Sequence, residues 1–168
     1  MDQKTLMSTL HSASARGIQL IPPNILSESI GSIGLKDPLT IAPTATLQNC
    51  LDTMQKHRVG SLLITDENDK LVGIFTERDF LLKVIGKISD LSSRSVGEFM
   101  TKDPVRERPE ASLAFALSVM SHGGFRHVPI VDQDDVPIGM ISVKDVVDYL
   151  VERMLSGILR ECELELSD

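Results

Sequence analysis

The sequence predicts an α/β fold of the α+β kind, in which two βαββα repeats pack as a pseudo-two-fold pair. Three observations support this prediction: a globular composition, an internal repeat, and an alternation of strand and helix patterns. The chain has 168 residues, 42% of them hydrophobic and 24% charged, enough for one ordinary domain or two small ones. A shift of 66 residues aligns 29–82 with 95–148 without a gap, and 15 of the 54 aligned positions are identical, where chance gives about three.

The first half of each repeat has the pattern of a short strand followed by a helix. Leu39-Thr40-Ile41 is a short run of strand-forming character that ends before Pro43. The apolar residues that follow have the spacing i, i+3, i+4, i+7, which predicts the buried face of an amphipathic helix. These residues are Leu47, Cys50, Leu51 and Met54 in repeat one and Leu113, Ala116, Leu117 and Met120 in repeat two.

The second half of each repeat predicts a β-hairpin and a second helix. Apolar runs at 62–64 and 71–75 flank a polar stretch, as do those at 128–131 and 138–141, which is the pattern of two strands and a turn. Each hairpin then leads into a helix that begins after Thr76 in repeat one and after Ser142 in repeat two.

The last helix continues past the second repeat, whereas the corresponding helix of repeat one stops near Gly86. An apolar face without partners in its own chain usually marks an interface. We therefore expect a homodimer formed through the repeats and this helix. The expected divisions are an N-terminal arm (1–28), two repeats (29–93 and 94–152) and a helical extension (153–168). The apolar face consists of Val146, Val147, Leu150, Met154, Leu155, Ile158, Leu159 and Cys162.

Charge and composition argue against several classes of protein. The net charge is −7 and the isoelectric point is near 5.1, whereas nucleic-acid-binding domains are usually basic. No apolar run approaches the roughly 18 residues of a membrane helix, so we expect no membrane partner. Cys50 and Cys162 form no disulfide framework, and the histidines do not have zinc-ligand spacings. These features predict a cytoplasmic protein without a metal site.

Two motifs, each present twice in the same register, carry a resemblance to a known family. The first is Asp-Pro-x4-Pro-x-Ala-x-Leu at 37–47 and 103–113, and the second is Gly-apolar-apolar-Thr/Ser-x-x-Asp at 73–79 and 139–145. Over about residues 30–151 the chain resembles the CBS domain, named for cystathionine β-synthase, and its tandem form, the Bateman module. It is most similar to small stand-alone bacterial CBS pairs. The resemblance implies adenosine-nucleotide ligands and flat two-fold dimers.

The Thr76-x-x-Asp79 and Ser142-x-x-Asp145 motifs have two interpretations. In the first, the hydroxyl and the carboxylate only cap a helix N-terminus. In the second, the hydroxyl and the helix N-terminus suit a phosphate, while the carboxylate accepts hydrogen bonds from both hydroxyls of a ribose. The resemblance implies the second role, and its occurrence in both copies favours ligand binding.

The resemblance also implies an adenine slot and a phosphate-binding region in each repeat. Arg126 and His127 precede the second strand of repeat two, where related proteins often place phosphate-binding residues, whereas repeat one has Gly60-Ser61 there. We therefore expect unequal sites, with the tighter phosphate site in repeat two. The expected slot residues are Thr40, Ile41, Pro43, Val59 and Gly60 in repeat one and Arg106, Pro109, Phe125 and Arg126 in repeat two. The basic residues considered for phosphate are Arg58 and Arg78 against Arg106, Arg126, His127 and Lys144.

These observations lead us to expect a non-enzymatic sensor that binds an adenosine-containing ligand between the repeats. It would signal to a separate effector protein through its dimer geometry. AMP, ADP and ATP are the first candidates for the ligand, and S-adenosylmethionine, NAD and a cyclic dinucleotide stay open. The alternative is a structural or interaction module whose ligand sites are degenerate. No nucleophile, acid–base pair or metal cluster that would predict an enzyme is readable in the sequence.

Overall fold

The computed structural model describes residues 24–165, with side chains as far as residue 157, and the isolated positions Lys4 and Ser8. The rest of the N-terminal arm and most of the helical extension's side chains, Ile158, Leu159 and Cys162 among them, lie outside the described residues. The strands are β1 (Thr40–Ile41), β2 (Ser61–Thr65), β3 (Leu71–Thr76), β4 (Thr101–Lys102), β5 (His127–Val131) and β6 (Pro137–Ser142). The helices are α1 (Leu47–His57), α2 (Glu77–Asp79, continued by a π-helical turn at Phe80–Val84), α3 (Leu113–Gly123) and α4 (Val143–Glu165).

The two repeats share the same hairpin register. In β2–β3, Ser61 lies opposite Thr76, and in β5–β6 the equivalent His127 lies opposite Ser142. The register shifts after Ile64 in the first hairpin and after Ile130 in the second, which are equivalent positions. The predicted pair of βαββα repeats is therefore confirmed.

The first strand differs between the repeats. In repeat one, β1 runs parallel to β2, with Thr40 beside Leu63. In repeat two the equivalent segment forms a single parallel bridge between Glu107 and Ile130. The segment 106–108 is Arg-Glu-Arg where repeat one has Thr-Ile-Ala, so charged side chains replace residues better suited to a half-buried strand.

The opening segments of the repeats are exchanged between their cores. Ile30, which opens repeat one, is fully buried among core residues of repeat two, and Val96, which opens repeat two, is fully buried in the core of repeat one. The backbone bonds match: the Ile30 amide donates to the Ala111 carbonyl at 2.8 Å, and the Val96 amide donates to the Ala45 carbonyl at 2.8 Å. Each repeat therefore completes its core with a segment that precedes the other in sequence.

This exchange also explains one glycine in each hairpin. A Cβ atom built on Gly73 would lie 2.4 Å from Sδ of Met100, and one on Gly139 would lie 2.8 Å from Cβ of Leu35. Such distances exclude a side chain unless the neighbours move. Glycine at the two equivalent positions therefore lets the crossing segments lie directly on β3 and β6.

The two hairpins pack against each other through a small apolar cluster. Leu63, Leu71 and Ile74 of repeat one contact Val131 of repeat two, with Met140 half-buried beside them. The Leu71 amide also donates a hydrogen bond to the Asp135 carbonyl at 3.0 Å. Backbone bonds and apolar contacts therefore both cross between the repeats, and this small cluster lies between the larger core clusters of repeat one and repeat two.

Helix α4 follows the predicted length, but its apolar residues face two ways. Val146 is fully buried, and Tyr149 and Leu150 pack against the core of repeat two. Leu150 was expected on the unpartnered face and instead belongs to the core. The exposed stripe is Val143, Val147 and Val151, with 37%, 49% and 43% exposure. Within the described residues, no helix is both long and apolar enough to cross a bilayer.

Candidate functional site

A cavity of about 750 Å³ lies between the two repeats, within the range typical of small-molecule sites. It is bordered by the end of β3 and α2 from repeat one and by the segment before β5 from repeat two. The crossing segment at β4 forms a third side. The lining residues are Gly60, Ile74, Thr76, Glu77, Arg78, Asp79, Leu81, Thr101, Asp103, Pro104, Val105, Gly124, Phe125, Arg126, His127 and Pro129.

Thr76 and Asp79 form a reciprocal capping box at the start of α2. The Asp79 amide donates to Oγ1 of Thr76 at 3.2 Å, and Oδ2 of Asp79 accepts from the Thr76 amide at 3.0 Å and from its hydroxyl at 2.7 Å. The capping interpretation is therefore correct for this motif. Capping does not exclude a ligand, because both residues also line the cavity.

The second carboxylate oxygen of Asp79 contacts two further groups. Oδ1 lies 2.7 Å from Nζ of Lys83 and accepts a longer hydrogen bond, at 3.4 Å, from the hydroxyl of Thr101. Only 13% of the Asp79 side chain is exposed. A ligand that bonds to Oδ1 must therefore share it with, or displace, Lys83 or Thr101.

Basic groups from both repeats lie at the cavity. Nη1 of Arg78 donates a hydrogen bond to the Gly124 carbonyl at 3.1 Å. Arg126 is exposed, and its guanidinium has no hydrogen-bond or ion-pair partner in the part of the chain that the structure describes. Burial and the neighbouring Arg126 charge lower the pKa of His127 below its usual 6.5, so His127 is neutral at pH 7. Arg126 thus offers a free positive charge for an anion.

The remaining lining is largely apolar. Ile74 and Pro129 belong to facing hairpins, Pro104 and Val105 follow the crossing strand, and Phe125 extends from the loop after α3. A Cβ atom at Gly123 would lie 2.0 Å from Cε1 of Phe125, so the ring occupies space that only glycine leaves free. Apolar side chains beside a few polar groups suit an aromatic base better than they suit a highly charged polyphosphate group.

The structure brings some of the predicted site residues together and separates the others. Gly60, Thr76, Asp79, Phe125, Arg126 and His127 line the cavity. The basic residues of repeat two therefore share a site with the carboxylate of repeat one. Arg58 and Val59 instead line a neighbouring groove beside α1. The predicted residues outside both linings are Thr40, Ile41, Pro43, Arg106, Pro109, Ser142, Lys144 and Asp145.

Several of these outlying residues have other partners. Arg106 Nη1 donates to Oδ1 of Asp103 at 3.0 Å, and Lys144 pairs with Asp148 one turn further along α4. Asp145 accepts a hydrogen bond from the Ser142 amide at 2.8 Å and lies 3.5 Å from Nζ of Lys36. Burial raises the pKa of Asp145, but the Ser142 hydrogen bonds and the Lys36 charge outweigh it, so the net shift is downward.

The sequence interpretation missed the contribution of Thr101, Asp103, Pro104 and Val105. A usable signal was present, because Lys102-Asp103-Pro104 repeats Lys36-Asp37-Pro38 exactly 66 residues later. What local patterns did not indicate is that this segment crosses to the other repeat. Among the described residues, no group of three or more His, Cys, Asp or Glu side chains is arranged to hold a metal ion.

The comparison with protein families gives two matches to one model. The CBS domain model matches residues 30–86 and residues 96–152, which together make up more than half of the chain. The chain belongs to the CBS domain family. The two matched segments coincide with the two structural repeats, so the protein is a CBS pair.

Individual relatives are consistent with this assignment. The chain is 30% identical over 128 residues to the uncharacterized protein MK0525 of Methanopyrus kandleri, which covers 74% of this chain and 65% of that protein. The crystal structure of the CBS-domain protein ATU1752 from Agrobacterium tumefaciens has a TM-score of 0.65 and 30% identity, covering 72% of this chain and 98% of that one. The Pyrobaculum aerophilum CBS protein PAE2072, solved in complex with AMP, has a TM-score of 0.65 and 20% identity, covering 74% and 98%.

Proposed function

We propose that this CBS pair binds an adenosine-containing nucleotide in the cavity beside Asp79 and acts as a regulatory sensor without catalysing a reaction. In this proposal the repeats, residues 29–93 and 94–152, form one ligand-binding module in the cytoplasm. The observation that carries the proposal is the convergence of a carboxylate, Asp79, a free guanidinium, Arg126, and apolar walls on one cavity.

Asp79 is the proposed ribose-binding residue. A carboxylate can accept hydrogen bonds from two neighbouring hydroxyls, and such charge-assisted bonds are stronger than neutral ones. Oδ1 is the oxygen available for exchange, because its 3.4 Å bond from Thr101 is long and Lys83 keeps a second contact, 2.8 Å from the Phe99 carbonyl. A ribose hydroxyl could therefore replace the Thr101 bond without leaving the lysine unpaired.

Arg126 is the proposed phosphate-binding residue, with Arg78 at the same cavity. In a protein of net charge −7, an anionic ligand needs local positive charge to offset the overall repulsion. Arginine binds phosphate through a planar fork of donors. The cavity also holds Glu77, Asp79 and Asp103, so its lining is not strongly positive and favours AMP, with few phosphate charges, over ATP.

The apolar walls are proposed to hold the base. Pro104, Val105 and Phe125 present apolar surface beside the polar edge formed by Asp79 and Thr101. The AMP complex of the Pyrobaculum aerophilum protein, which shares the fold, makes an adenine nucleotide the first ligand to test. S-adenosylmethionine, NAD, ADP and ATP belong in the same panel, since all contain an adenosine group.

The second candidate function is a structural or interaction module that binds no nucleotide. The contacts of Asp79 favour it, because Thr76, Lys83 and Thr101 already give both carboxylate oxygens partners. In that case the capping box stabilises α2 and has no ligand to bind. In either case we propose that the chain forms a homodimer, through which a sensor would transmit its state to a separate effector protein.

Calorimetric titration of the full chain tests the proposal. AMP should bind the wild type, and Asp79→Ala should weaken binding at least about tenfold, since even one charged hydrogen bond contributes roughly 1.5–3 kcal/mol. Asp134→Ala, on an exposed hairpin turn, is the matched control. A thermal-shift panel compares ligands, because one present at about 100 times its Kd adds about 2.7 kcal/mol. If no adenosine compound binds or stabilises the wild type, the interaction module is the correct function.

A further inference from the structure

His127 lines the cavity, and its imidazole has no hydrogen-bond partner among the residues that the structure describes. The residue opens β5, lies opposite Ser142 in the hairpin register and is half-buried. Polar groups that are shielded from water usually have a partner. At the equivalent position of repeat one, the Ser61 hydroxyl has such a partner, because it donates to Sδ of Met140 at 3.4 Å. The imidazole of His127 is therefore available to a ligand in the cavity.

Charged groups from three elements act on the His127 ring. Arg126 precedes it in the chain, Glu77 begins α2, and Asp145 lies in the first turn of α4. Burial and the Arg126 charge lower the pKa of His127, and the charges of Asp145 and Glu77 offset only part of that effect. The ring is therefore neutral at pH 7, with one N–H donor and one acceptor nitrogen. The other charged residues of the cavity lining are Arg78, Asp79 and Asp103.

A phosphate bound at Arg126 would reverse the balance of charge around His127. The phosphate of AMP is mostly a dianion at pH 7, because its second pKa is about 6. Its negative charges would offset the Arg126 charge and attract a proton to the neighbouring ring, since an opposite charge within about 4–6 Å favours the charged form of a group. Imidazolium also has two N–H donors, which suit phosphate oxygens that only accept. Phosphate binding and protonation of His127 therefore favour each other.

We infer that His127 takes up a proton from the solvent when AMP binds at Arg126, so that the sensor responds to the nucleotide and to pH together. The inference rests on the proposed function, because it concerns the same cavity and the same ligand. The coupling is reciprocal: a lower pH strengthens AMP binding, and bound AMP keeps the ring protonated. Only ligands that place an anionic group beside Arg126 take part in it.

Calorimetric titration of the full chain with AMP at pH 7 counts the protons exchanged, when it is repeated in buffers that differ in their heat of ionisation. The wild type should take up a substantial fraction of one proton per AMP, and His127→Gln should take up none. The phosphate cannot be the source of this uptake, because binding beside an arginine favours the dianion and can only release protons. His57→Gln, at the exposed end of α1, is the matched control and should behave as the wild type.

Adenosine separates proton uptake from binding in general. It has no phosphate, so it should bind the wild type and His127→Gln with similar affinity and without proton uptake, which also shows that the variant is folded. The AMP affinity of the wild type should fall between about pH 6.5 and pH 8, by at most about tenfold per pH unit for one linked proton. His127→Gln should lose this dependence.

NMR measures the titration of the His127 ring directly, with its signals assigned by comparison with His127→Gln. The pKa should lie below 6.5 in the free chain and at least about one pH unit higher in the AMP complex. AMP binding without proton uptake, or equal uptake by the wild type and His127→Gln, would overturn the inference while leaving the proposed function intact. Absence of AMP binding to the wild type would instead refute the proposed function itself.

Discussion

Arg78 of repeat one donates a hydrogen bond to the Gly124 carbonyl of repeat two, with 3.1 Å between Nη1 and the oxygen. The bond links the first turn of α2 to the end of α3, and both residues line the cavity. The rim of the cavity is therefore held by a contact between the repeats. A ligand that moves Arg78 toward its own phosphate would loosen this link, which is one route from binding to a change in the relative position of the repeats.

Arg126→Ala should weaken AMP binding but leave adenosine binding nearly unchanged. Loss of one charged hydrogen bond costs about 1.5–3 kcal/mol, or roughly ten- to a hundredfold in affinity. Adenosine has no phosphate, so it makes no such bond with Arg126 and its affinity should not fall. The salt dependence of AMP affinity should also become flatter, because salt screens exposed charges. Lys144→Ala is the control, since Lys144 pairs with Asp148 away from the cavity. Equal losses for AMP and adenosine would mean that Arg126 shapes the pocket instead.

Ile30→Ala should destabilise repeat two, although Ile30 belongs to repeat one in sequence. Its side chain is fully buried against Leu113 and Val128, and truncation of a buried isoleucine costs about 2–5 kcal/mol. Urea unfolding gives the free-energy change, and hydrogen exchange should show the greatest loss of protection in β5 and β6. Ile30→Val should cost only about 0.5–1.5 kcal/mol. Loss of protection confined to β2 and β3 would contradict the exchange of segments.

Val147→Glu with Val151→Glu should raise the monomer fraction of a homodimer. These residues form an exposed apolar stripe with Val143 on α4, and Leu81 and Ile85 at the equivalent positions of repeat one are 62% and 57% exposed. Burying such surfaces in a dimer would stabilise it, and a charge would oppose that burial. Light scattering at tens of micromolar measures the mass, with Glu152→Gln on the same helix as the control. A wild type that is already monomeric would refute the expected dimer.

The stability of the protein should fall as the pH is lowered through the range in which His127 titrates. Its folded-state pKa lies below 6.5, so between that pKa and 6.5 the unfolded chain binds more protons than the folded one. The free energy of unfolding therefore decreases as the pH falls below about 6.5. His127→Gln should remove this part of the slope, measured by urea unfolding at a series of pH values. Identical slopes in the two proteins would exclude His127 as the cause.

Arg58→Gly should stabilise the protein by about 0.5–1 kcal/mol. Arg58 ends α1 in the left-handed conformation, with φ 54°, and repeat two has Gly124 at the equivalent position, with φ 67°. Glycine adopts this conformation without the steric penalty of a side chain. Thermal unfolding measures the gain, and AMP affinity should not change because Arg58 lies outside the cavity. A loss of stability would indicate that the Arg58 side chain makes contacts that outweigh the strain.

The features that depend only on residues close together in the sequence could be predicted from it. The spacing of Leu47, Cys50 and Met54 gave α1, and the Thr76-x-x-Asp79 spacing gave the capping box. These patterns record local hydrogen bonding and one-sided burial, so a single segment contains the information. The family resemblance supplied the expectation of a nucleotide, which no local pattern contains.

The composition of the candidate site depends on long-range packing and could not be predicted in the same way. Nothing in the local pattern around Asp79 indicates that Arg126 of the other repeat lies at the same cavity, because that depends on how the hairpins face each other.

The exchanged opening segments have a consequence for folding during synthesis. Val96 completes the core of repeat one, so that repeat cannot finish folding when its own last helix leaves the ribosome, and must wait for the start of the next repeat. Ile30, made much earlier, has no burial site until β5 and β6 exist. The N-terminal repeat therefore does not complete its folding first, as N-terminal units usually do. Instead, both repeats complete their folding late and together.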